Sequence, residues 1–333
     1  AGAGFQDVIT QIDQRLVTFN ASLPRLIADL VFPTTQITVD GTAPVAFDVS
    51  ERGEYSMTRP QRAETAGHML PIRGYDVAVG FTEDGLEEMN QQDILNNVDS
   101  MLLGFRNLHM LITLTRLMSD LEIRVDDKTN VTSPGWAGSG TGDNVFNRSF
   151  PDGRPLPNDY THYLYADLND AGALEATLDA AIDRLGEWHE GPFDLVATSG
   201  MMDLLDKLPK FVEAGSELVR SGDEEVSSVD PQIYAGAYGK YVRVRKEIKR
   251  GGTVAHASIF KTEGAAAEEN PLRWRYKDTV ERARNAVLRY RDFYPLSNAE
   301  MIQDFGVGVG DRTKGINIYA AEGASAYVNP SFN

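Results

Sequence analysis

Apolar residues return at helical steps over one unusually long stretch of this chain. In LEEMNQQDILNNVDSMLLGFRNLHMLITLTRLMSDL, which starts at Leu86, the residues Ile94, Val98, Met101, Leu102, Phe105, Leu108, Ile112 and Met118 recur every three or four positions. That spacing marks one face of a helix. A helix from Leu86 to Leu121 would be roughly 54 Å long at 1.5 Å per residue, several times an ordinary helix. The stretch ahead of it reads differently. Ile37–Val39 and Val45–Val49 alternate apolar and polar residues around Asp40-Gly41, and a charged run punctuated by Gly and Pro follows from Glu51 to Pro71. Tyr75–Phe81 then returns as a strand, with Thr82 as the expected cap of the long helix. The pattern predicts a long two-stranded excursion. A hairpin this long and polar is marginal in water, so its stability must come from contact with something else.

Elsewhere the elements are shorter. FQDVITQIDQRLVTF near the start is amphipathic, but Pro24 and Pro33 divide the first 35 residues into pieces that read as an arm needing a surface to lie on. Asp126 to Asp159 is loop-like, with SGTGDN at 139–144 and PDGRPLPND at 151–159. A helical pattern from Leu168 to Trp188 precedes FDLVATSG, a buried-strand candidate, and MMDLLDKLPKFVEAG, a second helix. This helix–strand–helix order predicts an α/β subdomain. Tyr241–Val244, Val254–Phe260 and Leu272–Tyr276 read as strands, Thr279–Tyr290 as a mixed segment, and Gly306–Gly310 with Gly315–Tyr319 as a closing hairpin.

Composition changes this picture little. The chain has 333 residues, 42% hydrophobic and 24% charged, as in ordinary soluble globular proteins. No apolar run approaches the roughly 20 residues of a membrane span. Ala1 follows no methionine, which reads as a processed end or as a trimmed tag or methionine. Cysteine is absent, so disulfides and thiolate metal sites are excluded. The net charge of −17 argues against tight sequence-independent nucleic-acid binding, which needs clustered cations to displace counterions. Basic clusters at Arg243–Arg250 and Arg273–Arg291 read as solvated or intersubunit surface, the second being interleaved with Asp278 and Glu281.

The search for catalytic chemistry yields little. Gly236–Lys240 lacks phosphate-loop spacing, and GVGVG at 306–310 is not a dinucleotide fingerprint and reads as turn or bulge glycines. His68, His109, His162, His189 and His256 are scattered without the i, i+4 spacing of a zinc helix, and His109 reads as a packed histidine of the long helix. No cofactor, metal or catalytic residue is assigned. Asp194 and Ser199, at the junction of the buried strand and its helix, are the only candidates for an enzyme.

Taken in order, these pieces resemble a tailed-bacteriophage major capsid protein of the Hong Kong 97-type fold. The leading segment with IADLVFP at 27–33 resembles that family's N-terminal arm, and residues from about Thr42 to Ile72 its extended loop. Leu86–Leu121 resembles the spine helix, and FDLVATSGMMDLLDKLP and GAYGKYVRVRKEI the axial domain. Phe305 to Tyr319 resembles the strand returning to that domain. The resemblance implies an α+β fold: an N-terminal arm at 1–35, an extended β-hairpin loop at 36–81 and a peripheral domain with the spine helix at 82–165. An axial α/β domain at 166–260, a peripheral return at 261–304 and axial strands at 305–333 follow.

It also implies a virion protein assembled in the host cytoplasm. Hexamers and pentamers of such a protein form an icosahedral shell around double-stranded DNA, without sequence-specific binding. Decoration or cement protein, portal and scaffold are the further partners, and no membrane is involved. Arg52, Glu54, Tyr55, Arg59, Arg62, Glu64 and Arg73 are the expected subunit-interface residues, and Met101, Phe105, Leu108 and Ile112 the expected core of the spine helix. Some members of the family weld subunits by an isopeptide bond from a loop lysine. Here the first lysine is Lys128, so a non-covalent shell is expected. Two other readings stay open: an encapsulin-type nanocompartment of the same fold, and a two-domain α/β enzyme.

Overall fold

The computed structural model describes residues 2–21, 25–36, 38–40, 67–69, 72–82, 90–120, 123–126, 129–131, 150–152, 154, 156–157, 160–213, 236–238, 242–248, 254–277, 285–293 and 296–332. The leading segment is one helix, α1 (Gly2–Ala21), followed by α2 (Arg25–Leu30) and strand β1 (Val31–Thr34). The arm is therefore not in pieces up to Ala21. Val8, Ile12 and Phe19 recur on one side of α1 and are buried. Pro33 is tolerated in β1 because β1 lies at a sheet edge, where a missing N–H leaves no ladder bond unmade.

Strands β2 (Thr38–Asp40) and β3 (Gly67–Met69) pair antiparallel, Thr38 facing Met69 and Asp40 facing Gly67. β4 (Arg73–Thr82) then leads to the long helix α3 (Gln91–Met118), 28 residues and about 42 Å by helical rise. Its start differs from the expected Leu86. Thr82 ends β4, and Asn90 caps the helix through a reciprocal pair, its side chain accepting from the Asp93 amide while Asp93 accepts from the Asn90 amide.

The buried stripe of α3 holds Val98, Met101, Leu102, Phe105 and Met118 of the expected face together with Leu95, His109, Thr113, Leu114 and Leu117, whereas Ile94, Leu108 and Ile112 are only half-buried. His109 and Thr113 occupy core positions that hydropathy does not mark. β5 (Ile123–Asp126) and β6 (Thr129–Val131) form a short hairpin where a loop was expected.

The next strands build a seven-stranded sheet. β7 (Tyr163–Asp167) is followed by α4 (Ala173–Gly186), β8 (Phe193–Thr198) and α5 (Ser199–Leu205). The second helix is much shorter than expected and gives way to β9 (Phe211–Glu213), which pairs with β10 (Gly236–Tyr238). β11 (Val242–Ile248) runs parallel to β8, and β12 (Ala255–Phe260) antiparallel to it. β8 is buried throughout because both faces are covered. Leu195 and Ala197 pack with Leu178 and Leu185 of α4 and Met201 of α5, while Val196 faces the group containing Leu114, Leu117 and Met118 of α3.

The second sheet holds β13 (Leu272–Arg275), β14 (Val287–Phe293) and the 14-residue β15 (Leu296–Val309). β15 is central. It pairs with β4 along Leu296–Phe305, with β14 along Leu296–Ile302 and with β13 along Gly306–Val309. β16 (Gly315–Ala321) instead joins the seven-stranded sheet, between β12 and β7. The expected closing hairpin does not form, and Phe305–Val309 do not return to the sheet of β8. The residues 310–314 cross from one sheet to the other. Space at Gly310 is tight in that crossing, since a Cβ there would lie 2.6 Å from Arg273 Nη1 and 3.0 Å from the Asn270 carbonyl.

Candidate assembly surfaces

Helix α1 lies along the first half of the spine helix. Arg15 forms an ion pair with Asp99 and donates through Nη1 to the Leu95 carbonyl at 3.0 Å. Asn20 is bonded twice to the backbone of Ala286, donating to its carbonyl at 3.0 Å and accepting from its amide at 2.9 Å. Between the two helices runs an open groove of about 560 Å³, lined among others by Gln11, Gln14 and Thr18 of α1 and Asp99, Leu103 and Arg106 of α3. Leu103 is 58% exposed there. The helical spacing of Val8, Ile12 and Phe19 carries the signal for this pairing, but only a three-dimensional arrangement names its partner.

Midway along α3, the spine is tied to β15. His109 is 2% exposed and is packed among Phe105, Trp274 and Phe305, with centroid distances of 6.1, 5.0 and 4.9 Å. Its Nε2 lies 2.7 Å from Gln303 Oε1, an acceptor, so the imidazole carries its proton on that nitrogen and donates. Burial pushes the His109 pKa down to about 4, against a smaller upward effect of that hydrogen bond. Met101 and Phe105 are each 2% exposed, while Leu108 and Ile112 flank the buried stripe.

The expected interface residues fall mostly elsewhere. Arg52, Glu54, Tyr55, Arg59, Arg62 and Glu64 lie outside the described residues, between β2 and β3 in the sequence. Arg73 is described: it begins β4, opposite Phe305, and is exposed. Its charge adds to burial in pushing the Arg116 guanidinium below its usual value.

The residues of the enzyme reading lie on β8 and α5, on either side of their junction. Asp194 is buried and accepts from the Thr262 hydroxyl at 3.0 Å, and Ser199 opens α5. Neither lines the groove between α1 and α3. Among the described residues no group of three or more His, Cys, Asp or Glu is placed to hold a metal ion.

Compared as a fold, the chain is similar to structures from phages. A chain of Mycobacterium phage Patience matches with a TM-score of 0.66 at 16% identity, over 96% of this chain and 89% of that one. A chain of the bacteriophage PhiM1 mature capsid matches with a TM-score of 0.54 at 9% identity, over 90% of this chain and 88% of that one. For the satellite phage P4 procapsid the values are 0.51 and 10%, over 93% of this chain and 99% of that one. No protein-family model and no curated protein matches the sequence. At these identities the likeness is one of fold. The chain has the α+β fold of tailed-phage major capsid proteins, the Hong Kong 97-type fold.

Proposed function

We propose that this chain is the major capsid protein of a tailed bacteriophage, building the hexamers and pentamers of an icosahedral shell around double-stranded DNA. The observation that supports this best is the fold, which matches capsid structures across both sheets and the spine helix. A second point is physical. Strands β2 and β3 pair over three residues on each side, Thr38–Asp40 with Gly67–Met69, and an isolated two-stranded hairpin is marginal in water. A neighbouring subunit supplies the missing surface, with Arg52, Glu54, Tyr55, Arg59, Arg62, Glu64 and Arg73 at that contact.

In this scheme residues 1–35 are the arm, 36–81 the extended loop, 82–165 and 261–304 the peripheral domain, and 166–260 with β16 the axial domain. The protein acts in the virion as structure, with no catalytic role. Assembly takes place in the host cytoplasm, and decoration protein, portal and scaffold are its further partners. The charge of −17 suits an inner wall that contains DNA without gripping it. Among the described residues no helix is long and apolar enough to cross a membrane.

Electron microscopy of particles purified from the producing cells tests the proposal. Closed, uniform shells holding nuclease-protected DNA are expected. Shells filled with cargo protein instead of DNA would point to a nanocompartment, and a monomeric elution profile would overturn the shell reading altogether.

A further inference from the structure

The far end of the spine helix is gripped by side chains of the other sheet. The last carbonyls of any helix lack partners within it. Here three consecutive carbonyls at that end are met from outside: Asn317 Nδ2 on β16 donates to the Leu117 carbonyl at 3.1 Å, the Tyr327 hydroxyl to the Met118 carbonyl at 2.6 Å, and the Tyr163 hydroxyl on β7 to the carbonyl of the capping Ser119 at 3.0 Å. Asp120 follows directly. Its amide donates to Asn329 Oδ1 at 2.8 Å, and Asn329 Nδ2 donates to its carboxylate at 2.5 Å.

The segment that supplies Tyr327 and Asn329 is itself fastened. His256 Nε2 lies 2.6 Å from the Val328 carbonyl, an acceptor, and so donates to it. The rings of Tyr163 and Tyr327 stand edge to face at 5.0 Å, those of Tyr319 and Tyr327 at 6.5 Å. Phe332, 3% exposed, packs into the group shared by α3 and both sheets.

We infer that this clamp, made of Tyr163, Asn317, Tyr327 and Asn329, sets the angle between the spine helix and the seven-stranded sheet and thereby the curvature of the assembled shell. The inference rests on the capsid reading and goes a step beyond it. Apolar packing of Leu114, Leu117 and Phe260 holds the helix close to the sheet, but burial is non-directional and leaves the helix free to pivot. Hydrogen bonds are directional. Three carbonyls and an amide at one helix end, held by groups from β7, β16 and the segment after it, fix a direction as well as a position. A small pivot repeated in every subunit changes the radius at which a shell closes, so the clamp selects one size.

The double variant Tyr163→Phe with Tyr327→Phe removes two hydroxyls and keeps both rings. Tyr319→Phe, in the same aromatic group but outside the clamp, is the control. Thermal unfolding of the subunits and particle diameters by electron microscopy are the readouts. Wild type and control should give one diameter class, and the double variant should fold but spread over several diameters or open sheets. A single unchanged class from the double variant overturns the clamp while leaving the capsid reading intact. Wild-type protein that forms no particles overturns that reading, and the proposed role with it. Should the double variant not fold, Asn329→Ala decides, because it removes only the bracket on Asp120. Loss of the single diameter class supports the clamp, and retention overturns it.

Discussion

Two imidazoles of this fold are kept neutral by burial, and acid should therefore loosen it. His109 is pushed down to about 4 and His162 to about 3, in both cases chiefly by desolvation; the Arg184 charge adds to it at His162. In the unfolded chain both return to about 6.5. As pH falls from 7 to 5 the unfolded chain takes up two protons that the folded chain refuses, so stability falls as pH falls. The loss starts near pH 6.5 and runs down to the folded values. At pH 5 the ratio of binding terms is about 30 for each group, or about 2 kcal/mol each and about 4 kcal/mol together. That is a large part of the 5–15 kcal/mol of a typical domain.

His189 and His256 are lowered by burial as well and act in the same direction. The carboxylates of Asp152 and Asp167 are held below their usual range mainly by backbone amides. Urea unfolding of dissociated subunits at pH 7, 6 and 5 measures the slope. His109→Gln keeps a donor for Gln303 and cannot titrate here. Whatever its overall stability, its dependence on pH between 5 and 6 should be shallower by about 1.2 kcal/mol per pH unit. Equal slopes for variant and wild type would refute the argument, since the imidazole would then be protonated alike in both states.

Phe105→Ala should cost roughly 3–5 kcal/mol, because a side chain 2% exposed leaves a cavity between α3 and the second sheet. Leu108→Ala, at a half-buried site, should cost less, and equal denaturation midpoints for the two would show that the stripe is placed wrongly. Reversing the charges of Arg59 and Arg62 should leave the subunit folded while weakening assembly, read by sedimentation of particles at several salt concentrations. Normal assembly of that variant would remove the excursion from the subunit contact. Boiling particles in detergent should release one band near 36.7 kDa. A ladder of multiples would assign a crosslink to Lys128, Lys277 or another lysine.

The spine helix was legible because its apolar residues repeat over eight turns, far beyond what chance alternation sustains. Its boundaries were not. Thr82 and Asn90 are both competent caps, and only the pairing of β4 with β15 along Arg73–Thr82 assigns Thr82 to a strand. Part of its buried face was hidden too, since His109 and Thr113 are buried through tertiary partners that local pattern does not encode. GVGVG at 306–310 reads as turn glycines, yet it ends a strand because Arg273 and Arg275 lie beside it. The same contacts send β15 and β16 to different sheets, where proximity in sequence predicts a hairpin. Asp194 and Ser199 drew attention as a strand–helix junction, a feature common to many α/β units whether or not chemistry is present. Of the surfaces, the helical periodicity of α1 was readable, but not the fact that its partner is the spine of its own chain.

The spine helix is covered along its length within the subunit: its first half by α1 and the second sheet, and its second half between both sheets. On the capsid proposal, contacts between neighbouring subunits are then free to be individually weak. Exposed ion pairs contribute only about 0.2–1 kcal/mol each, small enough for a misplaced subunit to leave. Once a subunit is held on several sides, further contacts form at high effective concentration and act together. A chain with a net charge of −17 also repels its copies until complementary surfaces meet, which penalises contacts made out of register. On the capsid proposal, weak contacts between subunits, with repulsion between unmatched faces, favour error-tolerant closure over rapid aggregation.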